Sequence, residues 1–212
     1  MGCDDTQKEE IFAMILKIQY PKGATPLDRD ELAGLIPTYI TTQGELNSLE
    51  RDNILDALNW AAKKKAKDRT SISFAYDLHK QMFGRVWKWA GTLRKTDKNI
   101  GVAWAQVSSQ LPLLFQDLEY WIINQTYSWD EIGARFHHRL VAIHAFPNGN
   151  GRHARLLTDL TLEVHGQIPF TWGMDSDSAS LEADGTLRDE YIEALREADS
   201  KKMTRLIQFV RS

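Results

Sequence analysis

The residues best suited to chemistry crowd into one stretch, His144-Ala145-Phe146-Pro147-Asn148-Gly149-Asn150-Gly151-Arg152-His153-Ala154-Arg155. An apolar run, Leu140-Val141-Ala142-Ile143, delivers a histidine, and Pro147 then bars a continued regular helix. Gly149 and Gly151 flank Asn150 in a segment with little side-chain bulk. Arg152 and Arg155 are three apart, so on a helix they share a face. A helix starting near Gly151 would aim its free N–H groups and positive dipole end into the loop, making an anion site. Glycines let an anion approach the backbone, and arginines add forked donors suited to phosphate. A histidine beside such a site can take a proton from a hydroxyl. Base, phosphate cradle and paired arginines together point to phosphoryl or nucleotidyl transfer.

The same stretch resembles the motif of the Fic (filamentation induced by cAMP) family, His-x-Phe-x-(Asp/Glu)-Gly-Asn-Gly-Arg-x-x-Arg. It matches at every fixed position but one, Asn148, where most active members carry the carboxylate that holds magnesium. From Thr41 to about Trp172 the chain resembles the branch called mobile mystery protein B. The resemblance implies a protein adenylyltransferase that moves AMP from ATP, with Mg2+, to a Ser, Thr or Tyr hydroxyl of a target protein. His144 would be the general base. Asn148, Gly149, Asn150, Gly151, Arg152 and Arg155 would bind the nucleotide, Arg152 toward the β-phosphate and Arg155 toward the γ-phosphate. Asn148 would be a weak, neutral magnesium ligand that relies on ATP phosphates, since this ion prefers carboxylates. Thr41-Thr42-Gln43-Gly44-Glu45-Leu46-Asn47 resembles the inhibitory motif Ser/Thr-x-x-x-Glu-Gly/Asn, with Leu46 departing from it. By that resemblance Glu45 would pair with Arg155 and displace the γ-phosphate. A competing role is open, because Thr42-x-x-Glu45 is also a helix capping box.

These residues need positioning. Asp28 can cap a short helix through Glu31, Leu32 and Leu35, ended by Pro37. A long helix opens at 41–45, carries Leu46, Leu49, Ile54, Ala57, Leu58 and Ala61 at helical spacing, and closes on Lys63-Lys64-Lys65-Ala66-Lys67. Ser71 or Ser73 starts another through Phe74, Leu78 and Met82, and the aromatic cluster Phe83 to Trp89 follows as core. The span 93–102 is the best β candidate, a hairpin turning at Asp97-Lys98-Asn99. In the family it acts as a flap that holds the target segment by strand addition, which would give Thr96, Asp97, Lys98, Asn99, Ile100 and Gly101 a target-binding role. Val107, Leu111, Leu114, Phe115, Leu118, Trp121 and Ile122 form a helical stripe, and Ser128-Trp129-Asp130-Glu131 reads as a capping box for the helix leading to His144. Leu156, Leu157, Leu160 and Val164 bury the helix after the motif, which ends at Gly166. A polar loop follows over 171–185, then two helices on Leu187, Tyr191, Leu195 and on Met203, Leu206, Ile207, Val210.

The expected fold is therefore mainly α: a helical bundle of about eight helices with one short β-hairpin flap. A leader and arm would occupy 1–40. The domain proper would be 41–212, including an inhibitory helix at 41–64 and the motif at 144–155. Ile11-Phe12-Ala13-Met14-Ile15-Leu16 could form a short helix in the leader, and Met1-Gly2-Cys3-Asp4-Asp5-Thr6 fits a short myristoylation pattern. A formal net charge of −3 gives no reason to expect direct nucleic-acid binding. No apolar run reaches the length of a membrane span, and a single cysteine excludes an internal disulfide framework. A cytoplasmic setting is the simple expectation.

Three rival readings stand beside this one. Gly149-x-Gly151-x-x-Ala154 fits a dinucleotide fingerprint, but no βαβ pattern surrounds it. His137, His138, His144 and His153 lack the spacing of a zinc site. A Fic fold with a weakened metal ligand could instead be a binding module, or could transfer another phosphate-containing group. Branch relatives are usually encoded beside a helix-turn-helix protein, the natural partner for such a module.

Overall fold

Short polar side chains start four of the helices by accepting a backbone N–H of the first turn. In a computed structural model, which describes residues 24–173, 181 and 185–212, Asp28 caps α1 (Arg29–Leu32) and Thr42 caps α2 (Gln43–Ala62), each within a complete capping box. Ser71 caps α3 (Ile72–Phe83). Ser128 caps α5 (Trp129–Ile143), which follows α4 (Trp104–Ile123). Only half of the box expected at Ser128 forms. The Glu131 carboxylate is taken by Arg135 one turn on, so it does not return to the cap. The motif opens α6 (Asn150–Val164), and α7 (Thr186–Asp199) and α8 (Thr204–Arg211) finish the chain. The described residues are thus mainly α, with eight α-helices and a 3-10 turn at Ala66–Asp68.

The helices pack as consecutive pairs, α2 on α3, α4 on α5, α5 on α6 and α7 on α8, with α3 against α6 and α5 against α8 closing the bundle. One core gathers apolar residues of α2 to α6, with Leu78, Met82, Leu114, Phe136, Phe146 and Leu157 fully buried. A second joins α7 and α8 to α5 and α6 through Phe170, Trp172, Tyr191 and Leu206. Burial of this order is the main favourable term in folding. The aromatic cluster lies in the first core as expected, with Trp87 stacked on Trp89 at 5.1 Å. None of the described helices is long and apolar enough to cross a membrane.

One expectation is corrected. The span 93–102 contains no strand, and the only bridge among the described residues pairs Leu35 with Trp87. The reason is Arg94, which is 2% exposed. Its guanidinium donates to the carbonyls of Thr96, Val102 and His144. A hairpin would pair the Thr96 and Val102 carbonyls with backbone N–H groups across the turn. Here a buried side chain collects them, and the segment closes as a loop around one cation. The leader, its acylation-like start, the apolar run at 11–16 and the middle of the 171–185 loop lie outside the described residues.

Candidate functional site

His144 follows the last turn of α5 in left-handed conformation, φ 53° and ψ 59°. Such a backbone is strained for a residue with a side chain and persists only when its surroundings dictate it. Here the restraint comes from both sides. His144 N–H still donates to the Leu140 carbonyl at 3.2 Å, and its carbonyl accepts from Arg94 Nε at 2.6 Å. The kink ends the helix one step before the Pro147 loop and turns the imidazole into a cavity. Gly101 makes this possible from the other wall. It sits at φ 103°, and a Cβ there would lie 2.6 Å from His144 Cβ.

The cavity has a volume of about 1030 Å³ and is bounded by His144, the loop 148–152, Arg155, α2 and the 100–102 segment. Most of the sequence-derived site residues therefore meet in one place. The loop is held by Asn150, whose Oδ1 accepts from Phe146 N–H at 2.9 Å and whose Nδ2 donates to the Phe146 carbonyl at 2.8 Å. The Asn150 side chain is thus a buried staple, and only its backbone faces the anion site. His79 braces the loop from α3. Gly91 N–H donates to its Nδ1 at 3.0 Å, which leaves Nε2 protonated to donate to the Asn148 carbonyl at 3.0 Å. The ring stacks on Phe146 with centroids 3.7 Å apart. Gly149 caps α6 at φ 77° with its α-carbon against the Phe83 ring, and no side chain caps the helix. An uncapped, positively polarised helix end with Arg152 and Arg155 along its first turns suits a polyphosphate.

Electrostatics keep the histidine neutral. Burial, then Arg94 and Lys98, lower His144 to about 4, and only the Val141 backbone works the other way. Nδ1 reaches no partner in hydrogen-bond geometry among the described residues. Nε2 lies 3.0 Å from the hydroxyl of Thr25, a residue in the arm that precedes α1. In the tautomer that carries its proton on Nδ1, the neutral imidazole aims the Nε2 lone pair at that hydroxyl, the arrangement that general-base chemistry requires.

Two residues differ from expectation. The Glu45 carboxylate caps α2, accepting from Thr41 N–H at 2.9 Å and Thr42 N–H at 3.0 Å, and it lies exposed away from the cavity that Arg155 lines. The expected pairing of Glu45 with Arg155 is replaced by the cap, which satisfies helix-end donors without moving the side chain. The glutamate of α2 that does reach the motif is Glu50, 7% exposed. It accepts from Arg152 Nη1 at 2.6 Å and from Trp87 Nε1 at 2.6 Å. Arg155 lies near Tyr191 on the far wall of the cavity.

Asn148 has both ends of its amide occupied. Oδ1 accepts from Gly149 N–H at 2.6 Å and Nδ2 donates to the Thr25 carbonyl at 2.9 Å. Among the described residues no three carboxylates, histidines or cysteines come together as a metal site. The residues present do not fit a protein-held Mg2+ ion. Most of the expected target-binding residues are close to the arm or the base. Thr96 and Lys98 bind Asp28, Lys98 also binds Glu31, and Asn99 donates to the Ala24 carbonyl. Asp97 accepts from Trp104 N–H at the start of α4, and Ile100 and Gly101 line the cavity. Sequence reasoning missed Thr25, Glu50, Arg94 and His79. Arg94 alone carried a signal, a cation inside an apolar-flanked β candidate.

Residues 69–162 match the Fic/DOC family, so that part of the chain is similar to a Fic-type domain. Among known proteins it is 32% identical over 126 residues to protein adenylyltransferase fic-1 of Caenorhabditis elegans, covering 56% of this chain and 24% of that one. The solved structure of residues 134–508 of C. elegans Fic-1 superposes with a TM-score of 0.61 at 25% identity, over 84% of this chain and 51% of that chain. BepC of Bartonella tribocorum, solved with AMPPNP, superposes at 0.63 with 17% identity over 91% and 93% of the two chains. This chain therefore spans about a quarter of the curated relative's length and about half of the solved nematode chain.

Proposed function

We propose that the chain is a protein adenylyltransferase that moves AMP from ATP to a hydroxyl of a protein. The observation that carries this is the 3.0 Å approach of His144 Nε2 to a threonine hydroxyl beside an uncapped helix N-terminus flanked by Arg152 and Arg155. His144 takes the hydroxyl proton as the oxygen attacks the α-phosphorus. The N–H groups of Gly151 and Arg152 hold the phosphates that leave, and the arginine side chains offset their charge. The name of the nematode relative and the AMPPNP bound to BepC support ATP as the donor. The target protein carries a Ser, Thr or Tyr hydroxyl, and a helix-turn-helix protein is the proposed partner.

Restraint by α2 belongs to the same proposal, exerted through Glu50 on Arg152 and not through Glu45. An Arg152 held at 2.6 Å by a buried carboxylate is withdrawn from phosphate. A binding module is the second possibility, favoured by the amide at position 148 with both ends engaged. The test is transfer of α-phosphate label from ATP to protein in a lysate, with the natural chain and His144→Ala. A general base contributes about 100-fold or more. Loss of label in the variant, with unchanged folding, supports transfer. Equal label in both, or none with ATP or any other labelled nucleotide, favours the binding module.

A further inference from the structure

The residue opposite the base is the chain's own. Thr25 is 6% exposed, and its Oγ1 is 3.0 Å from His144 Nε2 across 119 residues of sequence. Its placement does not rest on that contact alone. The Thr25 carbonyl accepts from Asn148 Nδ2 at 2.9 Å, and the neighbouring Ala24 carbonyl accepts from Asn99 Nδ2 at 3.2 Å. Three residues further on, Asp28 is held by Thr96 at 3.1 Å and Lys98 at 3.3 Å. Pro26 keeps Thr25 out of helical conformation, so the arm crosses the site extended. The loop that resembles a target-binding flap is thus already holding a peptide, and that peptide presents a hydroxyl to the base.

We propose that Thr25 is a modification site: the chain transfers AMP to its own Thr25 in cis. This rests on the adenylyltransferase reading. The neutral imidazole takes the Thr25 hydroxyl proton while Oγ1 forms a bond to the α-phosphorus of ATP. The bond from that phosphorus to the α,β-bridging oxygen breaks, and pyrophosphate leaves with the electron pair. His144 then gives its proton to water. The products are Thr25 joined to AMP through a phosphodiester, pyrophosphate and one proton. Room for the donor exists beside the arm, because Thr25 forms one wall of the cavity of about 1030 Å³, against a common range of about 300–1,000 Å³ for small-molecule sites.

Asn148 gains a reason from the same geometry. Its amide donates to the Thr25 carbonyl. A carboxylate there would set two acceptors against each other and weaken the arm's hold. The departure from the family motif is therefore matched to an internal acceptor segment. A hydroxyl already placed against the base needs no encounter step, so the reaction is first order in chain and stops after one transfer per molecule.

The test is incubation of the full chain alone with Mg2+ and ATP, with the modified residue located by peptide mass spectrometry. The natural chain, Thr25→Ser, Thr25→Ala, His144→Ala and Glu50→Gln are compared, and a parallel set contains a lysate. One adenylyl group on residue 25 is expected in the natural chain and Thr25→Ser. It is absent from Thr25→Ala and reduced by about 100-fold or more in His144→Ala. The fraction modified per minute stays constant on tenfold dilution. Label on lysate proteins with residue 25 unmodified overturns self-modification and leaves adenylyl transfer standing. Modification of residue 25 at a rate that falls with dilution overturns the cis route. No label on any protein, even with Glu50→Gln, overturns both.

Discussion

Replacing Glu50 with Gln separates restraint from support, because it changes stability and nucleotide binding in opposite directions. Gln keeps the volume and can still accept from Trp87 Nε1, but its amide N–H then faces Arg152 Nη1, donor against donor. One charge-assisted hydrogen bond is lost, of about 1.5–3 kcal/mol. Part of this is offset, since a carboxylate only 9% exposed no longer has to be held away from water. Arg152 is 23% exposed and finds solvent. A net loss of about 1–2 kcal/mol is expected, which lowers Tm by about 2–8 °C for a domain of this size. The interaction that is lost is also the one phosphate must displace to reach Arg152. ATP affinity should therefore rise by a similar free energy, about 5- to 30-fold. Thermal unfolding gives the first number and titration with ATP the second. Glu45→Gln is the control: it weakens the α2 cap and should leave ATP affinity unchanged. If Glu50→Gln lowers stability and affinity together, Glu50 holds Arg152 in its binding position and the idea of restraint is wrong.

Two more predictions follow from the same contacts. Gly101→Ala places a methyl 2.6 Å from His144 Cβ at φ 103°, so the loop or the base must move. A stability loss of about 1–3 kcal/mol and a marked fall in transfer are expected, by urea unfolding and label transfer; unchanged transfer would show that the loop does not set the base. Acid should destabilise the fold between about pH 6.5 and 4. Burial lowers His144 and His153 to about 4 and His137 to about 3, so the unfolded chain binds more protons in this window and stability is lost as pH falls through it. Each contributes up to about 1.4 kcal/mol per pH unit. Asp159, raised by burial to about 6, acts the other way, since its folded form binds the extra proton between about pH 4 and 6. Three groups outweigh one, and a urea midpoint that rises on acidification through this window would contradict the burial of the histidines.

Local physics alone determined much of this protein. Helical spacing and short capping side chains marked all eight helices now seen among the described residues, and the caps at Asp28, Thr42, Ser71 and Ser128 are where the residues put them. These signals act within a few residues, where sequence order equals spatial order. The motif was legible for the same reason: His144, Gly149, Gly151, Arg152 and Arg155 lie on one kink and one helix start. The capping alternative at Glu45 was likewise visible beside the inhibitory one, and the local partner prevailed. The tertiary structure decided what faces the motif. Thr25 meets His144 across 119 residues, Glu50 meets Arg152 across 102, and His79 meets the Asn148 carbonyl across 69. None of these pairs has a periodicity or spacing, because helix packing brings them together after local structure has formed. The 93–102 segment shows the limit most directly. Its β pattern was real, but one buried arginine, whose partners come from this segment and from the distant end of α5, took carbonyls that a hairpin would have used.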